Sequence, residues 1–230
     1  MAISPSISSA LNASLQTITP RHVAAAVVAI DGSHEVFDSE ARAVERAIPS
    51  RKDEFKAGRA AARHALHQLG SEPVAIPRAE DRRPLWPAGF VGSISHTRQH
   101  AAAAAAHARD IQGLGLDIED STPLKTALLP RILTPLEQAQ QAASPMVGDV
   151  PRCKLTFVAK EALFKSIHPL GRRFFGFQDA EVELHPDGSW RAHFAEAAVG
   201  LPEGFTSRDG RWCQVEDLLM AVVCLVRTGA

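Results

Sequence analysis

The sequence predicts an α+β protein made of two halves of similar size, 1–120 and 121–230. Three observations lead there. A chain of 230 residues suffices for one large domain or two of about a hundred residues each. Apolar residues make up 45% and charged residues 22%, a balance that excludes wholesale disorder. The apolar pattern runs strand, helix, strands, then helix and strands again, with its break near residue 120.

Residues 1 to about 20 are polar, rich in Ser and Thr, and read as a loose lead-in. Val23 to Ile30 is an apolar run closed by Asp31-Gly32, which predicts a buried strand and a turn. Ser50 to Leu69 reads as a helix. Phe55, Ala62, Leu66 and Leu69 share one face, Ser50 is placed to cap it with Asp53 as partner, and Gly70 is placed to end it. Arg59 and Arg63 lie four residues apart on that helix, with Arg51 at its start. Between Ser71 and Gly89, the residues Pro73, Pro77, Pro84 and Pro87 mark a loop that carries Arg78, Arg82 and Arg83. Phe90 to His96 alternates as a strand. Ala101 to Ala106 favours helix by propensity alone, while its short length leaves a buried strand equally open. Leu114, Leu116 and Ile118 alternate with Gly115, Asp117 and Glu119, predicting a strand with one apolar and one acidic face. Pro123 to about Ala143 and Lys154 to Ile167 follow as helices. Ala180 to Leu184, Trp190 to Phe194 and Leu218 to Val226 complete the chain as strands.

Charge and cysteine content narrow the function. Lys plus Arg number 25 against 26 Asp plus Glu, for a net charge of -1, which argues against a globally basic nucleic-acid binder. Three scattered cysteines suit a reducing cytoplasm and supply neither a disulfide framework nor a CxxC metal site. The longest apolar runs fall well short of the roughly 20 residues that span a bilayer. No apolar targeting segment precedes Arg21, so a soluble cytoplasmic protein is expected.

Three elements can carry chemistry. Asp117 and Glu119, two apart on a strand, project from one face with Cα atoms about 6.5–7 Å apart. At an effective dielectric near 20 their repulsion is roughly 2 kcal/mol. A bound hard cation removes that cost, and oxygen ligands favour Mg²⁺. An exposed acidic strand face accounts for the pair without a metal. On the second long helix, Glu161 and Lys165 have the spacing of a surface ion pair. With Lys160 beside them, they also suit a phosphate and its metal. Gly92-Ser-Ile-Ser-His96 lacks the second glycine of a nucleophile elbow, which excludes a serine hydrolase. His96 there is either structural or a phosphate donor. Gly113-Leu-Gly115 lacks the third glycine of a dinucleotide fingerprint, and no Walker, HExxH or EF-hand sequence occurs. Together, Arg51, Arg59, Arg78, His96, Lys160 and Lys165 suit a ligand with several phosphates, and Asp117, Glu119 and Glu161 its metal ion.

Val91-Gly-Ser-Ile-Ser-His-Thr97, Gly115-Leu-Asp117-Ile-Glu119 and Phe157-Val-Ala-Lys160-Glu161-Ala-Leu-Phe-Lys165 resemble, in order, the three signatures of the 4′-phosphopantetheinyl transferases. Upstream, Arg51-Lys-Asp-Glu-Phe-Lys-Ala-Gly-Arg59-Ala-Ala-Ala-Arg63 and Arg83-Pro-Leu-Trp-Pro-Ala-Gly-Phe-Val-Gly92 resemble the branch serving enterobactin-type synthetases. The resemblance runs from about residue 40 onward and is weak between 123 and 150. Phe157 stands where many relatives have Trp, which changes packing rather than chemistry.

The resemblance implies two pseudo-symmetric α/β halves with coenzyme A in the cleft between them. It implies transfer of the phosphopantetheine arm to a serine of an acyl, aryl or peptidyl carrier protein, with adenosine 3′,5′-bisphosphate leaving. Carried over by position, Asp117, Glu119 and Glu161 become ligands of Mg²⁺, with Mn²⁺ as the alternative. Glu161 is also the favoured base, and the absence of Tyr removes one competitor for that role. Lys165 then contacts the pyrophosphate with Lys160 as neighbour, His96 and Ser95 hold phosphate, and Arg51, Arg59 and Arg78 grip the 3′-phosphate and adenine side. One chain holding both halves implies a monomer. Basic carrier docking is expected at Arg82, Arg83, Arg172 and Arg173, unless these are ordinary solvated surface. Gly171 to Gly176, with Phe174 and Phe175, is the candidate loop that meets the carrier or covers the arm.

Overall fold

An antiparallel sheet of three strands and one of five meet edge to edge in this protein. The computed structural model describes residues 5–171, 176–193 and 209–226. The proposed docking residues Arg172 and Arg173, the aromatics Phe174 and Phe175, and Phe194 fall outside them.

The lead-in is helical, against expectation: α1 (Pro5–Ile18) buries Leu11, Leu15 and Ile18. Their i, i+4, i+7 spacing is a helical stripe that the Ser and Thr around it obscure. The helix also covers an edge. β1 (Val23–Ala29) ends the three-stranded sheet, and Asn12 Nδ2 donates to Val27 O at 2.8 Å while Asn12 Oδ1 accepts from Val27 N at 2.8 Å. A side-chain amide thus occupies backbone groups that an edge strand would otherwise leave open to another chain.

A short turn, α2 (Asp38–Ala41), precedes the first long helix, α3 (Pro49–Gln68). Gly70, at φ +82°, ends α3 as the sequence predicts. Ser50 does not cap it: Ile48 is the N-cap, without a side-chain hydrogen bond, and Pro49 starts the helix with its fixed φ. β2 (Phe90–His96) and β3 (His100–His107) form a hairpin, and the six alanines lie in β3 between β1 and β2. Every one of Ala101 to Ala106 is fully buried, because α3 packs on one face of this sheet and α1 with the second sheet on the other. Packing on both faces overrides the helix propensity of alanine.

His100 opens β3 and is 2% exposed, with neither ring nitrogen hydrogen-bonded among the described residues. Burial holds its imidazole below the ordinary histidine value, opposed by Asp217. A histidine depressed on folding contributes its full stability above about pH 6.5 and loses it as pH falls further. His100→Met is therefore expected to raise Tm by roughly 2–4 °C, from a gain of about 1 kcal/mol. The gain should be larger at pH 5.5 than at pH 7.5. A variant less stable than the parent at both pH values would contradict this.

β4 (Gly113–Asp120) is an edge of the five-stranded sheet, which continues through β10 (Leu218–Leu225), β9 (Asp209–Val215), β8 (Ser189–His193) and β7 (Glu181–Leu184). β9 has no counterpart in the sequence reading. Its Gly210 lies under the Trp190 ring, a contact between strands that no local pattern announces. The segment after β4 is not one helix. A 3₁₀ turn and α4 (Leu129–Ile132) end at extended Leu133, and α5 (Pro135–Ala143) starts afresh from the capping box of Thr134 and Glu137. Pro135 disfavours a helical residue before it, which explains the break. After the small ribbon β5 (Met146–Val147) and β6 (Val150–Pro151), α6 (Arg152–Gly171) packs Leu155, Val158, Ala162 and Leu163 on Leu219, Ala221 and Val223 of β10. No helix among the described residues is long and apolar enough to cross a membrane.

The two sheets meet at β2 and β4 without a backbone ladder. Ser93 Oγ accepts from Leu116 N at 3.0 Å and donates to Leu116 O at 3.3 Å, so one hydroxyl serves both peptide groups. Two residues further along the same face of β2, Ser95 reaches Asp117.

Candidate active site

Strand alternation and helix spacing assemble the centre from three elements. Asp117, on β4, is 3% exposed and points towards α6. Its Oδ1 accepts from Ser95 Oγ of β2 at 2.7 Å and from Lys165 Nζ of α6 at 2.6 Å, and Lys165 Nζ also donates to Ser95 Oγ at 2.9 Å. Lys165 therefore pairs with Asp117 and not with Glu161. Oδ2 of Asp117 is buried and has no hydrogen-bond partner among the described residues. An unpaired buried carboxylate oxygen is costly, and a cation relieves it. One turn before Lys165 on α6, Glu161 is half-buried. Burial pushes its carboxyl above the ordinary range, and Asp117 and Glu119 push the same way against Lys165.

The chemistry of these donors suits Mg²⁺, which binds through one or two carboxylates and completes its shell with water and phosphate oxygens. The three-carboxylate set expected from sequence is not gathered: no cluster of three or more His, Cys, Asp or Glu side chains among the described residues is arranged to hold a metal. Glu119 is the displaced member. Its carboxylate accepts from Lys154 Nζ at 2.9 Å. Lys154 was missed in the sequence, although it falls seven and eleven residues before Glu161 and Lys165, a spacing that keeps one helix face.

His96, at the end of β2, meets Arg51 and Glu54 of α3. Arg51 Nη1 donates to His96 Nε2 at 2.5 Å and to Glu54 Oε2 at 2.9 Å. His96 Nδ1 faces Thr97 O at 3.3 Å, so the neutral tautomer with the proton on Nδ1 satisfies both contacts. Burial lowers the basicity of the ring, Glu54 opposes, and Arg51 adds to the effect. Arg59 is 6% exposed, its guanidinium 4.1 Å from the Phe55 ring and its Nε donating to Ile76 O at 2.8 Å. Burial lowers its pKa to about 10, Glu40 opposes, and Arg63, Arg78 and Arg51 add repulsion. Arg78 is exposed on the loop after α3.

Lys160 is the clear correction. It is 3% exposed, and its ammonium donates to Glu137 Oε2 at 2.6 Å, Phe177 O at 2.6 Å and Ile132 O at 3.0 Å. Three donors on three acceptors leave none for a phosphate. The 100° turn between neighbouring helix positions aims it at α5 while Glu161 faces β4.

A cavity of about 610 Å³ is lined by Glu54, His96, Glu119, Asp120 and Asp217, among others. Another of about 610 Å³ is lined by Arg82, Arg83, Trp86, Ile94, Phe164 and Lys165, with further residues. The arrangement thus sets acidic oxygen donors between basic groups, beside space for an extended ligand.

Comparison with known proteins decides the family. Residues 39–106 match the 4′-phosphopantetheinyl transferase N-terminal domain, and residues 113–223 match the 4′-phosphopantetheinyl transferase superfamily. This chain belongs to the 4′-phosphopantetheinyl transferase superfamily. The transferase is 34% identical over 196 residues to 4′-phosphopantetheinyl transferase Svp of Streptomyces mobaraensis, covering 83% of this chain and 78% of that one. It is 32% identical over 220 residues to 4′-phosphopantetheinyl transferase Npt of Nocardia iowensis, covering 91% and 98%. Against enterobactin synthase component D of Escherichia coli K12 the transferase is 38% identical over 118 residues, 50% of this chain and 54% of that one. The branch expected from the Arg51 and Arg83 segments agrees with that similarity.

Proposed function

We propose that this transferase moves the phosphopantetheine arm of coenzyme A onto a serine of an acyl, aryl or peptidyl carrier protein. The observation that carries the reading is the Asp117 carboxylate, held at Oδ1 by Ser95 and Lys165 and unpartnered at Oδ2, beside a Glu161 of raised pKa. Glu161 takes the proton of the carrier serine, and its raised pKa brings it nearer the working pH of a general base. The serine oxygen bonds to the phosphorus bearing the pantetheine. The bond from that phosphorus to the bridging oxygen breaks, and adenosine 3′,5′-bisphosphate leaves with the electron pair. Lys165 binds the pyrophosphate and offsets its charge. Arg51 holds phosphate oxygens, joined by His96 and Ser95 once phosphate replaces Arg51 at a protonated His96 Nε2 and Asp117 at the Ser95 hydroxyl, and Arg51, Arg59 and Arg78 grip the 3′-phosphate and adenine side. Asp117 and Glu161, joined by Glu119 on release from Lys154, are the residues for Mg²⁺ or Mn²⁺, which when bound neutralises charge on the leaving phosphate.

In this reading the chain works as two halves divided near residue 120, with coenzyme A in the cleft between them. The seam at Ser93 and Ser95 supports that placement. A cytoplasmic monomer accompanies it, in keeping with three free cysteines. Basic docking at Arg82 and Arg83, beside the second cavity, suits an acidic carrier. The test is mass spectrometry of a purified apo-carrier incubated with the transferase, coenzyme A and Mg²⁺. The expected result is a mass gain of one phosphopantetheine arm, abolished by chelator. No gain on any of several carriers, with coenzyme A still bound, would replace transfer with a binding role.

A further inference from the structure

We infer that Glu40 is a positioning residue for the phosphate grip of Arg59 and Arg78. The inference rests on the reading of those arginines as holders of the 3′-phosphate. Glu40 has no exposed surface and lies near the start of the matched N-terminal domain, before the Arg51 segment. A buried carboxylate is tolerated only when fully hydrogen-bonded, and this one is. Its Oε1 accepts from Ile76 N at 2.7 Å and from Arg63 Nη1 at 3.0 Å. Its Oε2 accepts from Phe37 N at 2.9 Å and from Arg63 Nη1 at 3.0 Å.

Ile76 links this carboxylate to the grip. Glu40 holds its N–H, and Arg59 Nε holds its carbonyl at 2.8 Å. No helix or strand contains residues 72–77. The stretch is placed by Ile76 buried in the core, by Leu85 N donating to Pro77 O at 2.8 Å, and by these side-chain bonds to the Ile76 peptide groups. Arg78 follows two residues later, at the bridge to Pro84. Arg59 itself stacks on Phe55, and the Nε contact is its one hydrogen bond to protein among the described residues. Its terminal nitrogens remain for a ligand. Of the charged groups acting on Arg59, Glu40 attracts while Arg63, Arg78 and Arg51 repel. Loss of the Glu40 carboxylate therefore leaves the Ile76 N–H without its acceptor and Arg63 without its ion pair, and removes the attractive charge acting on Arg59.

Calorimetric binding of coenzyme A and of 3′-dephospho-coenzyme A to the whole chain, its Glu40→Gln variant and its Glu40→Asp variant tests this. Gln sets an amide donor against the N–H of Ile76 or Phe37, and Asp keeps the charge but falls one methylene short. The parent is expected to prefer coenzyme A by about tenfold or more. Glu40→Gln should lose most of that preference through weaker coenzyme A binding, with dephospho-coenzyme A little changed. Glu40→Asp should fall between the two. In turnover, KM for coenzyme A should rise while kcat at saturation holds. Equal weakening of both ligands, or of neither, would overturn the inference, as would failure of both variants to fold, which assigns Glu40 to stability alone. A parent without preference would overturn the 3′-phosphate reading itself, an outcome distinct from a failure confined to Glu40.

Discussion

Glu161→Gln is expected to lower kcat by about 10²–10⁴ while leaving the protein folded and able to bind coenzyme A. The amide is isosteric, and Glu161 forms no ion pair whose loss would strand a buried partner: Lys165 keeps its contacts to Asp117 and Ser95. What disappears is the proton acceptor. Asp117→Asn should lower turnover comparably by a different route. Its amide oxygen can still accept from Ser95 and Lys165, so the fold survives. The side chain loses its negative charge, and an N–H donor can replace the free oxygen that now faces no partner. Titration of Mg²⁺ separates the two. Both variants should need a higher metal concentration for half-maximal activity, because both side chains are assigned to the metal, but saturating metal should restore Asp117→Asn and not Glu161→Gln, which also lacks the base. Purified variants that both retain near-parental rates, with unchanged Tm, would remove these carboxylates from the mechanism.

These residues were legible in the sequence because short-range geometry places them. Alternation puts Asp117 and Glu119 on one strand face, and four-residue spacing puts Glu161 and Lys165 on one helix face. Local rules do not say which partner each side chain chooses. Lys165 crosses 48 positions to Asp117 instead of taking the carboxylate one turn away, and Glu119 is taken up by Lys154 across 35. Lys160 fits the chemistry by residue type but not by direction. Its true partner is Glu137, 23 residues earlier, and Arg63 reaches Glu40 over the same separation. In each half, then, a buried glutamate at the third position of a short helix binds its own N-cap N–H and a cation from the long helix. Each also receives a later backbone N–H, that of Ile76 or of Val182. This recurrence at equal spacing was present in the sequence. Only the glutamate repeats in residue type, since Arg answers to Lys and Phe37 to Thr134. The alanine segment stayed open between helix and strand, and α1 was hidden, for another reason: small or polar residues record which faces are covered only after the rest of the chain has packed.

The packing of β4 against α6 gives the second large effect. Gly115→Ala is expected to destabilise the transferase by about 3 kcal/mol, or roughly 6–12 °C in Tm for a chain of this length. A Cβ there would overlap the carbonyl oxygen of Ala162, lie 2.8 Å from its carbon and approach Ser166 N at 3.0 Å. These are backbone atoms inside a helix, and they cannot swing aside as a side-chain end can. Relief requires α6 to lift from the strand, and Ala162 is the residue between Glu161 and the turn that carries Lys165. The same displacement therefore stretches the 2.6 Å contact from Lys165 to Asp117, so any folded fraction should also lose turnover. Gly58→Ala is the control. Its Cβ meets only the Ile94 Cγ2 methyl, at 3.0 Å, and alanine is favoured over glycine inside α3, so its Tm should stay near the parental value. Equal Tm for Gly115→Ala and the parent would mean that α6 can move off β4 at little cost. The close approach of helix and strand would then not be what holds Glu161 and Lys165 over Asp117.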